Sequence, residues 1–306
     1  MNEVADRLNP GLWRILACPH CAGQLEPVEP GARCLSCGTA FGRSDAGQLD
    51  LRLARPKSQT LDIVLGTPLQ GDPAVDFAPL PAKPRPAVDL AGLRGPCHLP
   101  IDLRSWFPRA ASPGDRILDL GCGTEVHREV CEHAGFEYVG LDYAAREAML
   151  LGDAQALPFR DRSFAAILSI AVFEHLRFPL VAMREARRVL RPGGLFFGTV
   201  AFLEPFHSDS FYHHSHLGVL AGLRDGGFAV ERVAPTERFW SGLDAQANMG
   251  LFPGSPRWLA RAIVAPVRLL HRLWWAAGRR VDPKATEHNR MLKNSGAVIF
   301  VARRPD

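Results

Sequence analysis

The chain has 306 residues, of which 47% are hydrophobic, and a formal net charge of +4 at pH 7. This length accommodates one large domain and a small one, and the hydrophobic content is that of a folded globular protein rather than a disordered chain. The small positive charge is far from the basic excess typical of nucleic-acid-binding proteins, so a nucleic-acid partner is not favoured. No run approaches the ~20 apolar residues that span a bilayer. We expect no secretory signal in residues 1–10 and a cytoplasmic location.

Four of the seven cysteines form two Cys-x-x-Cys pairs separated by twelve residues. Two such pairs supply four thiolates, the ligand set of a structural zinc ion. A disulfide framework and a redox-active pair are the alternatives. A cytoplasmic location disfavours the first, and duplication of the pair disfavours the second. We therefore predict a zinc ribbon over residues 1–54, in which the metal stabilises the fold. Its ligands are Cys18, Cys21, Cys34 and Cys37.

The sequence around these cysteines resembles the small zinc-ribbon family known as methyltransferase activators. The resemblance covers about residues 10–53 and rests on Ile-Leu-Ala-Cys-Pro at residues 15–19 and Cys-Gly-Thr-Ala-Phe at residues 37–41. Such ribbons occur as separate activator subunits and as modules fused to the N-terminus of another domain. Residues 55–111 follow, with five prolines between positions 73 and 86. Proline is excluded from helix interiors and removes a ladder donor, so this segment is predicted to be a connector.

A glycine-rich segment indicates where a ligand binds. Residues 118–124 read Leu-Asp-Leu-Gly-Cys-Gly-Thr, and Asp142 lies eighteen residues after that segment in a second predicted strand. Glycine at positions 121 and 123 lets the backbone approach a ligand more closely than a side chain permits. An ionised carboxylate only accepts hydrogen bonds, which suits it to two sugar hydroxyls. The pattern predicts a nucleotide-like cofactor over Gly121 and Gly123, with its ribose at Asp142.

This segment resembles motif I of the class I S-adenosylmethionine (SAM)-dependent methyltransferases. Three later segments resemble other parts of that family in the expected order. Residues 152–159 (Gly-Asp-Ala-Gln-Ala-Leu-Pro-Phe) resemble its adenine-binding stretch, residues 173–176 (Phe-Glu-His-Leu) the exit from the fourth strand, and residues 185–194 the helix and turn before the fifth.

The resemblance spans about residues 112–236 plus the last strand, and it implies an α/β fold. That fold is a Rossmann-like, seven-stranded, doubly wound sheet, mostly parallel with one reversed strand at the edge. Residues 112–306 would form the SAM-dependent methyltransferase domain. The cofactor-binding residues implied are Asp119, Gly121, Gly123, Glu125, Asp142, Asp153, Ala154, Leu157, Glu174 and His175.

Two features depart from the family pattern. Glu125 stands where a third glycine is usual, near enough to a bound SAM to meet its ammonium or to repel its carboxylate. Only eleven residues lead from Asp142 to Asp153, where the family fits a helix and a whole strand. That length allows about two turns of helix or a short strand, not both.

A histidine-rich loop after the predicted fifth strand is the candidate acceptor region. Four of the eleven histidines fall between positions 207 and 216. Neutral imidazole is the usual general base near pH 7, so His207, His213 or His214 are candidates, with His207 favoured. A metal site that includes Asp209 and a structural loop that caps the next helix stay open as alternatives.

A helical insertion is predicted at about residues 241–294, between the last two strands. Five arginines within it fall within about 60° of one another on a helical wheel, and apolar residues and tryptophans occupy the other faces. We favour a helix packed on its own domain or lining a hydrophobic acceptor pocket. Peripheral membrane contact through residues 256–280 and a nucleic-acid-binding face are the alternatives. Pro266 is expected to kink or split the helix. The arginines are Arg257, Arg261, Arg268, Arg272 and Arg279.

The sequence thus predicts a cytoplasmic SAM-dependent methyltransferase with a fused zinc ribbon. O-methylation of a small or lipid-like metabolite is the favoured reaction, because the predicted helix suits an apolar acceptor. One alternative is an rRNA or tRNA methyltransferase, since zinc ribbons precede such domains in rRNA-modifying relatives. The other is a non-catalytic module with this fold that binds a partner through its ribbon.

Overall fold

The computed structural model describes residues 8–65, 88–90, 93, 99–205, 209–235, 242–283 and 286–306. Near the start of the chain, a one-turn helix leads into a small antiparallel sheet of three strands in the order β1-β2-β3. Asn9 caps that helix, because its side-chain oxygen accepts a hydrogen bond from the Leu12 amide at 2.8 Å. These elements are α1 (Pro10–Trp13), β1 (Leu25–Val28), β2 (Gly31–Cys34) and β3 (Ala40–Phe41).

A larger sheet has eight strands in the order β10-β11-β9-β8-β5-β6-β7-β4. All neighbouring strands are parallel except that β11 is antiparallel to both β10 and β9. The α/β fold is therefore confirmed, but the reversed strand lies one position in from the edge, not at the edge as expected. The strands are β4 (Leu49–Asp50), β5 (Arg116–Leu120), β6 (Glu137–Asp142), β7 (Leu150–Leu151), β8 (Phe164–Ile170), β9 (Leu190–Ala201), β10 (Ala229–Pro235) and β11 (Ala297–Arg303).

Helices connect these strands and cover the sheet. In α4, Ala182, Ala186 and Val189 are buried at the i, i+4 and i+7 spacing of a core-facing stripe. The aromatic core includes Phe196 and Phe300, whose ring centroids lie 4.8 Å apart. The helices are α2 (Ile101–Arg104), α3 (Arg128–His133), α4 (Pro179–Val189), α5 (His216–Asp225), α6 (Gly242–Ala245), α7 (Arg257–Gly278) and α8 (Glu287–Asn294), with a 3₁₀ turn at Phe173–His175 and a π-helical segment at Gln246–Leu251.

The eighth strand of the large sheet belongs to the N-terminal module. β4 pairs in parallel with β7 through Leu49 opposite Leu150 and Asp50 opposite Leu151. The Leu51 amide extends this pairing by donating to the Leu151 carbonyl at 2.8 Å. The seven predicted strands are therefore joined by one that the cysteine-bearing segment supplies.

The short segment from Asp142 to Asp153 contains the strand β7 and no helix. The Gln48 side chain, 1% exposed, occupies the space beside this segment. Its amide donates to the carbonyls of Ala145 and Ala148, both at 2.8 Å. The N-terminal module thus covers the part of the sheet where the family normally places a helix.

The N-terminal module makes a second contact with the rest of the chain, at the predicted adenine-binding stretch. The Ala17 amide donates to the Pro158 carbonyl at 3.0 Å, and the Arg160 amide donates to the Ile15 carbonyl at 2.8 Å. The described end of the predicted connector also packs on the sheet, because Phe107 meets Phe197 edge-to-face at 5.3 Å.

The helical insertion leaves the sheet at the end of β10 and returns at the start of β11. α7 continues through Pro266 as one helix, so of the two expected effects of this proline the split does not occur. In the part of the chain that the structure describes, no helix has both the length and the apolar character needed to cross a membrane.

Gln48 provides a test of how strongly the N-terminal module supports the large sheet. We expect Gln48→Ala to lower the free energy of unfolding by about 1–3 kcal/mol, because two carbonyls lose their donor inside the contact between the module and the sheet. Urea denaturation followed by circular dichroism measures the change. Gln24→Ala is the matched control, since Gln24 is exposed and should change stability by less than about 0.5 kcal/mol. Equal stability of the two variants would contradict this role of Gln48.

Candidate functional site

The strand order creates a crevice at the carboxyl end of β5. The chain passes from β5 to β6 on one side, and it later returns to β8 on the other side. Ligands of open α/β sheets bind at such a reversal of strand order, outside the carboxyl ends of the strands. The glycine-rich turn after β5 and Asp142 at the end of β6 both lie at this edge.

The structure explains the glycines at positions 121 and 123 in different ways. Gly121 has φ +72°, and a Cβ there would lie 2.4 Å from a methyl carbon of Val172, so the turn packs too closely for any side chain. Gly123 has φ +52°, and a Cβ there would meet nothing within 4 Å. The turn is fixed to β6, because the Gly121 amide donates to the Leu141 carbonyl at 2.8 Å. Backbone above Gly123 is consequently open to a ligand.

Asp142 connects the glycine turn to the exit of β6. Its Oδ2 accepts a hydrogen bond from the Gly123 amide at 3.0 Å. Its Oδ1 accepts from the amides of Ala144 and Ala145 at 2.9 and 3.0 Å. Each carboxylate oxygen has two lone-pair directions, so Oδ2 retains acceptor capacity for a ligand hydroxyl. The carboxylate is therefore held in a fixed orientation beside the turn.

Glu125 adopts the left-handed conformation that a third glycine would favour, with φ +57°. Its Oε2 pairs with the Arg128 guanidinium at 2.6 Å, and its side chain is only 8% exposed. A Cβ on Gly140 of β6 would lie 2.8 Å from the other carboxylate oxygen. The structure thus buries Glu125 between Arg128 and β6, where an ion pair offsets its charge.

Asp119 lies under the same turn and is fully buried. Its Oδ2 accepts a hydrogen bond from the Tyr138 hydroxyl at 2.9 Å, and His127 Nδ1 lies 3.4 Å from that oxygen. Burial, followed by the charge of Asp119, raises the pKa of Tyr138. This polar cluster supports the turn from inside the domain. The motif contained no signal for it, because Tyr138 and His127 belong to β6 and the start of α3.

The predicted adenine-binding stretch is held from behind by α4. The Leu157 amide donates to Glu185 Oε2 at 2.9 Å, and Arg188 donates to the Leu157 carbonyl at 3.0 Å. Asp153 Oδ1 accepts from the Gln155 amide at 2.8 Å, and Ala154 and Leu157 are buried. Glu185 and Arg188, at the i and i+3 positions of one helix face, are supporting residues that the sequence interpretation missed.

Tyr143, next to Asp142, is a second omission. Its side chain is 61% exposed at the crevice edge. The Arg52 guanidinium from the N-terminal module lies 5.5 Å from the centre of the Tyr143 ring. Arg52 also pairs with Asp50 at 2.6 Å and lowers the pKa of that carboxyl. The N-terminal module therefore contributes a side chain beside the predicted ribose position.

On the other side of β5, Glu174 joins the ends of β8 and β9. Its side chain is fully buried, and its Oε1 accepts from the Ala201 amide at 3.0 Å. Its carbonyl accepts from the amides of Phe211 and Tyr212 at 2.7 and 3.1 Å. These bonds fold the histidine-rich loop back over β8. The neighbouring His175 is half-buried in the same 3₁₀ turn.

The three candidate bases have different surroundings. His207 lies outside the described residues. His213 is exposed, with its Nε2 3.4 Å from the Ser210 hydroxyl. His214 is half-buried, and burial lowers the pKa of its imidazole despite a hydrogen bond to the backbone of Phe173. Its Nε2 is buried and has no hydrogen-bond partner among the described residues.

The four predicted zinc ligands converge on one point. Their sulfur atoms all lie within 4.8 Å of one another. The Sγ atoms of Cys18 and Cys37 are 3.7 Å apart, and those of Cys21 and Cys34 are 3.5 Å apart. Zn–S bonds of ~2.3 Å place the sulfurs of a tetrahedron about 3.8 Å apart, so this geometry fits zinc. Hydrogen bonds from Thr39 lower the pKa of Cys37 to about 6.

Comparison with known proteins agrees with the geometry of the crevice. Residues 118–198 match the family model described as a methyltransferase domain. This part of the chain is therefore similar to methyltransferase domains. The match begins in β5 and ends in β9, so it includes the glycine turn, Asp142 and Glu174.

Curated relatives differ in the acceptor that their names give. The chain is 35% identical over 95 residues to the demethylmenaquinone methyltransferase of Renibacterium salmoninarum, covering 28% of this chain and 40% of the relative. It is 37% identical over 99 residues to the human probable tRNA methyltransferase 9B, covering 29% and 22%. It is 34% identical over 132 residues to the malonyl-[acyl-carrier protein] O-methyltransferase 1 of Coxiella burnetii, covering 40% and 47%. The chain spans less than half the length of each of these relatives.

The cysteine cluster yields a direct test. We expect Cys34→Ser to lower zinc content from about one ion per chain to near zero and to destabilise the ribbon, because metal binding supplies folding energy to such small modules. Inductively coupled plasma mass spectrometry of purified protein measures the metal. Cys131→Ala, which removes a buried thiol from α3, should keep its zinc. Metal-free wild-type protein that remains metal-free after refolding with zinc would refute the zinc site.

Proposed function

We propose that this protein transfers the methyl group of SAM to a hydroxyl oxygen of a small or lipid-like acceptor, with a histidine of the loop after β9 as general base. The observation that carries the proposal is the crevice at the carboxyl end of β5. There, the backbone at Gly123 is open and the Asp142 carboxylate is held in one orientation. His214 lies at the end of β9 in the same sheet, where its amide donates to the Ala201 carbonyl at 2.9 Å and its Nε2 has no described partner. A reducing cytoplasmic setting belongs to this proposal, because zinc-binding thiols must stay reduced.

The residues of the crevice suit SAM, which when bound supplies a methyl group on a positively charged sulfur. Asp142 would accept hydrogen bonds from the ribose hydroxyls, and the turn at Gly121 and Gly123 would lie against the methionine portion. Asp153, Ala154 and Leu157 would border the adenine, with Glu174 and His175 near the methyl donor. Asp119 and Glu125 would act from beneath the turn, because both are buried and bonded to neighbouring side chains.

His214 is the base that the contacts support best. Because its Nε2 has no described partner, we assign the hydrogen bond with the Phe173 backbone to Nδ1 as the donor. That tautomer leaves a lone pair on Nε2, the atom that would take the acceptor's proton. Burial lowers the imidazole pKa, so the ring is neutral at pH 7. His207, the favoured base from sequence, remains a candidate outside the described residues.

Similarity to a probable tRNA methyltransferase keeps RNA as a second candidate acceptor. Binding to RNA depends steeply on salt because counterions are released. Retention on immobilised tRNA at low salt that disappears at moderate salt, together with methyl incorporation into tRNA, would favour this alternative.

Titration calorimetry with S-adenosylhomocysteine tests the cofactor site. We expect micromolar binding by the zinc-loaded protein, and a loss of at least roughly tenfold in Asp142→Asn, because the amide cannot accept hydrogen bonds at both positions. Asp45→Ala is the matched control, since Asp45 is an exposed carboxylate of the N-terminal module. Absence of binding by a folded wild-type protein would overturn the enzymatic proposal and favour the non-catalytic partner-binding module.

A second test addresses the base, once screening of hydroxylated apolar compounds has identified an acceptor. We expect His214→Ala to lower kcat by roughly 10²–10⁴-fold with unchanged affinity for S-adenosylhomocysteine, whereas His213→Ala should stay within about twofold. A base is active when deprotonated, so kcat should rise with pH through a pKa below 6.5 and stay level above pH 7. His214→Ala should abolish this rise. A wild-type activity and pH profile in the His214 variant, with loss in His207→Ala, would assign the role to His207.

A further inference from the structure

α7 contacts the rest of the protein along a narrow stripe. Ala260 and Val264 are its buried residues, and His271, Trp275 and Gly278 are half-buried. These positions recur at the three-, four- and seven-residue intervals of a single helix face. The remaining surface of this 22-residue helix, about 33 Å long, is exposed.

The exposed surface is largely apolar. Leu270 is 67% exposed and Trp274 is 80% exposed, and both line a shallow apolar depression on the outside of the helix. Soluble monomers rarely expose a continuous apolar patch of this kind, and such patches mark a binding surface. The large side chains exposed on α7 are Trp258, Leu259, Ile263, Val267, Leu269, Leu270, Leu273 and Trp274.

Charge distinguishes the possible occupants of this surface. Residues 245–281 contain six arginines and no aspartate or glutamate. On a helical wheel, five of these arginines centre about 180° from the apolar face around Leu270. Asp244, just before this segment, contacts Arg268 at 3.3 Å and Arg261 at 4.0 Å. Two of the arginines therefore contact the protein beside the buried stripe, while the apolar face around Leu270 is exposed.

We propose that α7 binds in the plane of an anionic lipid membrane, with the face around Leu270 and Trp274 inserted at the boundary between headgroups and acyl chains. An arginine-rich polar face opposite an apolar face that carries tryptophan is typical of helices that lie in this interface. Anionic lipids complement the positive charge of this segment. A second copy of α7 would bring six more arginines without a carboxylate, so self-association is disfavoured. This binding does not depend on methyl transfer.

Vesicle flotation with full-length, zinc-loaded protein tests the proposal. We expect binding to vesicles with about 30 mol% phosphatidylglycerol to exceed binding to pure phosphatidylcholine vesicles at least roughly tenfold. The double variant Leu270→Glu/Trp274→Glu should lose at least about tenfold in binding to the anionic vesicles. The matched control Leu65→Glu/Leu217→Glu, which adds the same two negative charges at exposed leucines outside α7, should bind like the wild type.

A second variant isolates the contribution of charge. Arg272→Glu/Arg280→Glu should remove most of the preference for anionic vesicles and leave the circular dichroism spectrum unchanged. Equal binding to both vesicle types, or no binding to either, would overturn the proposal. A wild-type dimer in sedimentation velocity that Leu270→Glu/Trp274→Glu converts to a monomer would instead assign the surface to a second copy.

Discussion

The geometry of the proposed cofactor crevice depends on the hydrogen bonds that the Asp142 carboxylate accepts. One oxygen holds the glycine turn through Gly123, and the other holds the bend after β6 through Ala144 and Ala145. Both segments are thereby fixed to the end of one strand. The buried cluster of Asp119 and Tyr138 beneath the turn restrains the same backbone from the opposite side. A ligand site assembled this way is rigid before any ligand arrives, which lowers the entropic cost of binding.

The N-terminal module completes the sheet as well as folding around its own cysteines. A two-residue β7 would be a weak edge strand, exposed along its outer side. β4 pairs with that side, and Gln48 satisfies the two carbonyls that the shortened connection presents. Residues Ile15 and Ala17 form the second contact, at the stretch proposed to hold adenine. The fold of the cysteine-bearing module and the shape of the crevice are therefore physically connected in this chain.

The sequence predicted the features whose residues lie close together in the chain. The cysteine pairs, the glycine turn and the carboxylate at Asp142 each follow from a few neighbouring residues. The pairing of β4 with β7 was not predictable, because it joins residues a hundred positions apart and β4 has no alternation to mark it. The contacts of Glu125 were not predictable for a related reason. Its backbone adopts the left-handed conformation that glycine favours, but its side chain pairs with Arg128. The sequence spacing of these two residues allows that contact but does not require it.

A helical wheel identifies the apolar face and the basic face of α7, but it does not show which of them packs on the protein. The favoured interpretation placed the apolar face against the protein, whereas the structure leaves that face exposed and pairs two of the arginines with Asp244. The insertion begins and ends at the same edge of the sheet as the proposed cofactor crevice. β10 ends and the reversed β11 begins at the sheet edge that carries the crevice, and a Cβ on Gly242 would lie 2.8 Å from Leu203 in the loop after β9. Under the two proposals together, docking of α7 on lipid would bring the membrane to the side of the domain where the acceptor enters, which suits an acceptor drawn from that membrane.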